Sequence, residues 1–391
     1  MRTRIWRLIA AIVAVHACMA TTRVASTLWL LHSGHGEVTV GVLLALVALA
    51  PALLGPAAGA WADRYGLWKP LVIATGLAFV GTLAPALWPH VGTLVIGAIG
   101  TGGAIAVAAV AVQREVAQRA REAAEQGGDP GGAQRMYSWV ALGPALSNTL
   151  APLLAGALID HVSHRAAFAA AVLMVPVALW LLRAQRRAAR PVQTQRVSTR
   201  PAWDLLEAKS LRQLLVINLV LAAAWDAHSF VVPVLGHARG YSASTIGAIL
   251  ACFSMAGMAV RLLIIRFAGA WSERRMLRSA MGVTVAMSVL YVFLPGPLGL
   301  MLGSAVMGLA LGSVQPTVLA ALTHATPPAR HGQVLGLRMM ATNTAGVTLP
   351  MGFGLLAGVA GVGGPLWLMA ALIAAAWPAT VALRSQAGQD A

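Results

Sequence analysis

The chain has 391 residues, 58% hydrophobic and only 10% charged, with 28 basic against 12 acidic side chains and a formal charge of +16. Apolar runs this long and this many exceed what a soluble core needs, and they define an all-α, polytopic membrane protein. The basic residues are spread over many short loops rather than gathered on one face, which argues against a nucleic-acid role. A bilayer core asks for about 20 apolar residues per helix, and twelve such segments are predicted: 7-31, 39-61, 69-88, 92-113, 137-159, 166-183, 212-235, 244-267, 277-295, 298-321, 334-357 and 363-383. The start, "MRTRIWRLIAAIVAVHACMA", has the basic and apolar zones of a secretory signal. Its apolar run continues past Ala20, so it reads as a retained first span. Between spans 4 and 5, "QREVAQRAREAAEQGGDPGGAQR" begins with helix-forming Arg/Glu alternation and ends in a Gly/Pro hinge. The longest polar stretch, "RAQRRAARPVQTQRVSTRPAWDLLEAKSLR", separates span 6 from span 7, with room for an interfacial helix near Trp203 to Ala208. The predicted organisation is a six-helix bundle over 1-183, a cytoplasmic linker over 184-211 and a second six-helix bundle over 212-391.

Charge sets the sidedness. With the N-terminus inside, the inner loops collect Arg2, Arg4, Arg7, Arg64, Lys69, Arg114, Arg119, Arg121, Arg135, the Arg183 to Arg212 run, Arg274, Arg275, Arg278 and Arg330, while the outer loops hold only Arg165 and Arg239. Both termini are therefore expected in the cytoplasm, in a bacterial inner membrane. Cys18 and Cys252 both fall in apolar runs, which leaves no disulfide framework to expect. The halves also echo each other. "GAWADR" at 59 to 64 returns as "GAWSER" at 269 to 274, "LLAG" at 153 to 156 returns at 355 to 358, and Arg135 and Arg338 sit 203 apart. These nearly constant offsets predict duplicated bundles, a transporter architecture.

The stretch "GPAAGAWADRYGLWKP", residues 55 to 70, resembles the loop between helices 2 and 3 of the major facilitator superfamily, carried by Gly59, Asp63, Arg64, Gly66 and Lys69. Glycine permits close helix approach and tight reversal, and the resemblance implies that this conformational-switch motif works with an Arg near the end of span 4, for which Arg114 is the candidate. In span 5, the Gly143-Pro144 pair resembles part of a helix-bend motif found in members that exchange substrate against protons, although Ser147 and Asn148 stand where small glycines are usual. In span 4, Ala98 occupies the place of an arginine that the drug-exporter pattern ties to proton coupling.

Two ionisable residues lie deep in spans: Arg23 in span 1 and Asp226 in span 7, 203 residues apart and so candidate symmetry mates. An unpaired charge at mid-helix costs about 2.5 to 3.5 kcal/mol on insertion scales. Asp226 is therefore expected to pair with Arg23 in one conformation and take a proton in another, which would couple proton movement to a conformational change. His228 is a proton-relay candidate on a different helical face, with a packed histidine as the plainer reading. Arg338, Asn148 and Asn343 are further substrate-binding candidates beside Arg23 and Asp226; Arg338 can also snorkel to the interface, and the asparagines can tie helices together.

The expected function is secondary active transport of a small organic molecule by alternating access, with proton-coupled export favoured over uptake or exchange of an organic anion held by intramembrane Arg. An intramembrane enzyme is the remote rival, since HExxH, GxSxG and P-loop patterns are missing. No cofactor and no metal are expected. The expected partners are a small-molecule substrate, protons and membrane lipid, with the chain a monomer.

Overall fold

The computed structural model describes residues 2–65, 67–125, 132–183, 202–266, 272–326 and 330–382. Twelve α-helices follow one another with no strand among these residues: α1 (Arg2–His32), α2 (Glu37–Tyr65), α3 (Trp68–Leu87), α4 (Val91–Glu125), α5 (Gly132–His161), α6 (His164–Arg183), α7 (Lys209–Ala238), α8 (Ala243–Arg266), α9 (Glu273–Leu290), α10 (Gly296–His324), α11 (His331–Ala360) and α12 (Gly364–Ala376). Eleven of the helices are long and apolar enough to cross a membrane; α12 is shorter and runs on as a 3-10 segment, Trp377–Ala382. Helices suit this setting because each backbone satisfies its own hydrogen bonds. The Arg/Glu-rich stretch after span 4 is a continuation of α4 to Glu125, and α5 begins at Gly132, ahead of the expected 137. The linker segment near Trp203 is a 3-10 turn, Ala202–Glu207.

The chain divides into two compact units. Unit 1 holds Met1–His35, Val42–Gln195 and Ser242–Ala248; unit 2 holds Gly36–Gly41, Arg196–Tyr241 and Ile249–Ala391. In unit 1, α1 is the most enclosed helix and packs on α4, α5 and α6. Its core with α3, α4 and α6 alternates Leu and Val with many alanines, among them Ala11, Ala74, Ala78, Ala104, Ala108 and Ala178. Small side chains at these seams let backbones approach, which is where membrane helices gain their packing energy. In unit 2, α7 takes the corresponding place, packed by α10, α11 and α12. Large apolar side chains such as Leu53, Leu87, Leu298 and Val359 point outward, 68 to 89% exposed, as a bilayer-embedded surface requires.

Close approach is most severe at two glycines. A Cβ on Gly102 of α4 would fall 2.1 Å from the Val47 carbonyl oxygen of α2, and one on Gly308 of α10 would fall 2.1 Å from that of Phe253 in α8. The two contacts are equivalent, at an offset of 206.

The same offset governs the turns that end α1 and α7. Gly34 (φ 78°) and Gly240 (φ 71°) each adopt the left-handed conformation that glycine accepts without strain. At the first turn Gly34 N donates to Leu31 O and His35 N to Leu30 O; at the second Gly240 N donates to His237 O and Tyr241 N to Gly236 O. This is one helix-terminating motif used twice, and it aligns "GHGEVTVG" (34–41) with "GYSASTIG" (240–247).

For α5 and α11 the offset is 198. Gly156 abuts Ala243 O and Gly247 abuts Pro152 O inside unit 1, just as Gly354 abuts Glu37 O and Gly41 abuts Pro350 O inside unit 2. The expected match of "LLAG" at 153 to 156 with 355 to 358 is therefore out of register: Gly156 is crowded, whereas nothing lies within 4 Å of a Cβ on Gly358. By the same register Arg338 is equivalent to Val140, not to Arg135.

Candidate functional site

Arg23 and Asp226 occupy the middle parts of α1 and α7, each half-buried. Arg23 shares its strip of helix with Met19, one turn earlier; Asp226 shares its strip with Ala222 and Ser229, while the neighbouring Ala224, Ala227 and His228 are closed off. The 206 register corrects the proposed equivalence of the two charges. Arg23 corresponds to Ser229, and Asp226 to Ala20. Since Ser229 lies three residues from Asp226 on the same strip, Asp226 stands about 4.5 Å along α7 from the position equivalent to Arg23.

Around Arg23, α1 carries buried polar groups that sequence reasoning passed over. His16, Thr22 and Ser26 are 8%, 2% and 2% exposed, and His16 Nδ1, Thr22 Oγ1 and Ser26 Oγ have no hydrogen-bond partner among the described residues. Thr22 stands against Gly97 of α4, beside the buried Ala98.

His228 is fully buried inside unit 2. Its Nε2 lies 3.0 Å from Ser304 Oγ of α10, which lies 2.6 Å from the Tyr291 hydroxyl. The imidazole stacks on Phe253 at 4.2 Å, and Tyr291 meets it edge-on at 5.3 Å. Trp225 meets Phe253 edge-on at 4.4 Å. Rings on both sides of Asp226 in the sequence therefore pin that stretch of α7 to α8 and α10. His228 is thus packed and hydrogen-bonded through Nε2, while its buried Nδ1 has no hydrogen-bond partner among the described residues.

Arg338 of α11 reaches α7: its Nε donates to Asn218 Oδ1 at 3.1 Å. Asn218 is 2% exposed, and its Nδ2 has no partner among the described residues. The sequence reading missed Asn218, a lone polar residue in "LLVINLVLAA" whose partner lies 120 positions away. Asn148 and Asn343 are half-buried on α5 and α11.

The helix-bend motif is better defined. Pro144 lies inside α5, and a Cβ on Gly143 would come within 3.3 Å of Val13 of α1. Ser147, placed where a small glycine was expected, donates to Val13 O at 2.9 Å and lies 3.2 Å from Gly143 O, bonding α5 to α1 one turn from Gly143. Of the conformational-switch motif, Gly59, Asp63 and Arg64 lie on α2 and Arg114 on α4, with side chains outside the described residues; Gly66 lies outside them altogether. Lys69 is on α3, its Nζ 4.5 Å from the centre of the Tyr65 ring.

Solved structures share this fold. A point mutant of the nucleoside transporter NupG superposes with a TM-score of 0.75 at 12% identity, covering 96% of this chain and 98% of that one. A D-xylose-proton symporter gives 0.74 at 14% identity, with 98% of both chains covered. A tetracycline resistance protein, class G, from Vibrio anguillarum is 26% identical over 352 residues, which span 85% of this chain and 84% of that protein. The fold is thus the one these solved membrane transporters adopt. The sequence model of the Major Facilitator Superfamily matches residues 8–300 and 214–388, and the chain belongs to that family.

Proposed function

We propose that the protein is a proton-coupled exporter of a small amphipathic organic molecule, seated in a bacterial inner membrane with both termini in the cytoplasm and working as a monomer by alternating access. The observation that carries the reading is Asp226. Among the described residues it is the one acidic side chain set many residues inside a predicted span, half-buried in the middle of a largely apolar helix. A carboxylate in that position is retained at a cost, so a proton-carrying role explains it better than packing does. Arg23 supplies the opposite charge, Asn148 and Asn343 offer hydrogen bonds to substrate, and Gly143, Pro144 and Ser147 supply the bend in α5. The relative named for tetracycline resistance supports export.

The test is flux in proteoliposomes with an imposed pH gradient, using tetracycline as the first probe and a ligand panel screened by thermal shift for others. Gradient-driven accumulation that Asp226→Asn abolishes, while ligand-induced stabilisation persists, is the expected result; flux indifferent to the gradient overturns the coupling. Arg23 favours a second reading, uptake or exchange of an organic anion. On that reading Arg23→Ala loses affinity for carboxylate ligands and keeps it for their neutral analogues.

A further inference from the structure

Away from these residues, unit 2 contains an open cleft of about 510 Å³ between α8, α9 and α10. Small residues form its floor, Ala280 (2% exposed) and Ala310 (8%), and its rims are Val283, Val306 and Leu309, each 37 to 43% exposed. These rims lie within candidate membrane spans. One end is different: it is marked by Arg275, on the first turn of α9.

Arg275 differs from its two arginine neighbours. Arg278 is engaged, its Nε donating to Thr380 Oγ1 at 3.0 Å and its guanidinium lying over the Trp377 ring. Arg274 is half-buried, its Nε enclosed without a hydrogen-bond partner among the described residues. Arg275 is exposed, and among the described residues its guanidinium has no acceptor and no ion-pair partner. Glu273, two positions away, lies on a different helical face. From Arg275 to Val283 the cleft follows α9 for about 12 Å, within the roughly 15 Å of hydrocarbon in one leaflet. An exposed cation therefore heads a mostly apolar trough whose rims lie in candidate membrane spans.

We propose that this cleft binds an anionic phospholipid, with the headgroup phosphate on Arg275 and one acyl chain lying over Ala280 and Ala310 between Val283, Val306 and Leu309. Arginine suits phosphate because its planar fork donates two parallel hydrogen bonds. The occupant is a lipid rather than a soluble anion because nine of the ten lining residues offer no charge and the rims are greasy.

The purified full chain in mild detergent is titrated with phosphatidylglycerol, phosphatidylcholine of the same acyl composition, or glycerol 3-phosphate, and read by native mass spectrometry and thermal shift. Phosphatidylglycerol is expected to be retained about fivefold over phosphatidylcholine, the value of one basic residue at an anionic surface. Arg275→Gln removes that preference, Leu309→Trp and Val283→Trp each weaken lipid retention with Arg275 in place, and Arg275→Lys keeps part of the preference. Arg212→Gln, at an exposed arginine on the first turn of α7, changes nothing. Equal retention of both lipids, insensitivity to Arg275→Gln and to both tryptophan variants, an equal loss in Arg212→Gln, or competition by glycerol 3-phosphate as strong as by whole lipid would each overturn the proposal.

Discussion

Gly308→Ala places a methyl group where α10 leans on α8. The added Cβ falls 2.1 Å from the Phe253 carbonyl oxygen, 2.9 Å from its carbonyl carbon and 3.1 Å from Ala256 Cβ. The obstacle is backbone of another helix, so no side-chain rotation relieves it. The helices must part by roughly 1 Å, a gap at which each flanking contact forfeits between a quarter and a half of its well depth. Overpacking of this kind costs about 1 to 3 kcal/mol, offset by the roughly 0.5 to 1 kcal/mol that alanine gains over glycine in a helix. With a backbone atom at 2.1 Å the upper part of the overpacking range applies, and the net expectation is a destabilisation of about 2 kcal/mol. Units of this size lose about 2 to 4 °C in Tm per kcal/mol, readable by tryptophan fluorescence in mild detergent. Gly102→Ala, the equivalent contact with Val47, should behave alike. Gly352→Ala, on an exposed face of α11 with nothing within 4 Å, should raise Tm slightly. Gly308→Ala as stable as the parent, or Gly352→Ala equally damaging, would refute the reasoning.

Four further outcomes are expected. Asp160 of α5 accepts hydrogen bonds from the first amides of α8, Ala243 N at 2.9 Å and Ser244 N at 2.7 Å; Asp160→Ala should cost about 1 kcal/mol, the worth of a helix cap, with faster hydrogen exchange confined to those amides. Ser147→Ala removes the bond to Val13 O and should cost about 0.5 to 1.5 kcal/mol, measured by thermal unfolding beside Asn148→Ala as a control. Arg330 pairs with Asp204 through Nη1 at 2.9 Å and a second contact through Nη2, while its Nε donates to Gln333. Hydrogen bonding to that carboxylate holds the Arg330 guanidinium above the ordinary arginine value. Its contribution is complete below that value and lost only as pH rises past the raised one, so a double-mutant cycle should give the same coupling across the neutral range. His228→Phe keeps a ring against Phe253 and loses Ser304, so folded protein with lower Tm and intact gradient-driven flux is expected; flux lost with the fold intact would make His228 a relay.

The helical architecture was readable in the sequence because hydrophobic length alone specifies a membrane helix. The α12 segment shows the limit of that rule: its apolar run continues beyond Ala376, but only as tighter 3-10 turns. The repeat was visible and its register was not. Identical letters in "LLAG" drew attention to an accidental match, whereas the true equivalence between 34–41 and 240–247 rests on two positive-φ glycines, a threonine and a contact glycine, with different residues between them. Arg23 and Asp226 stood out because ionisable groups are rare in apolar runs. Asn218, Ser304 and Tyr291 did not, because nothing local announces which helix a buried polar side chain will meet, and their partners lie many residues away.

The twice-used turn at Gly34 and Gly240 also says how two halves with so few letters in common can keep one shape. A chain reversal that depends on a backbone torsion, and on nothing a side chain supplies, tolerates any chemistry on the helices it joins. The turns can thus stay alike while the groups set into the helices differ, so that an acid stands where the sister half has a methyl group, and a hydroxyl where it has a guanidinium.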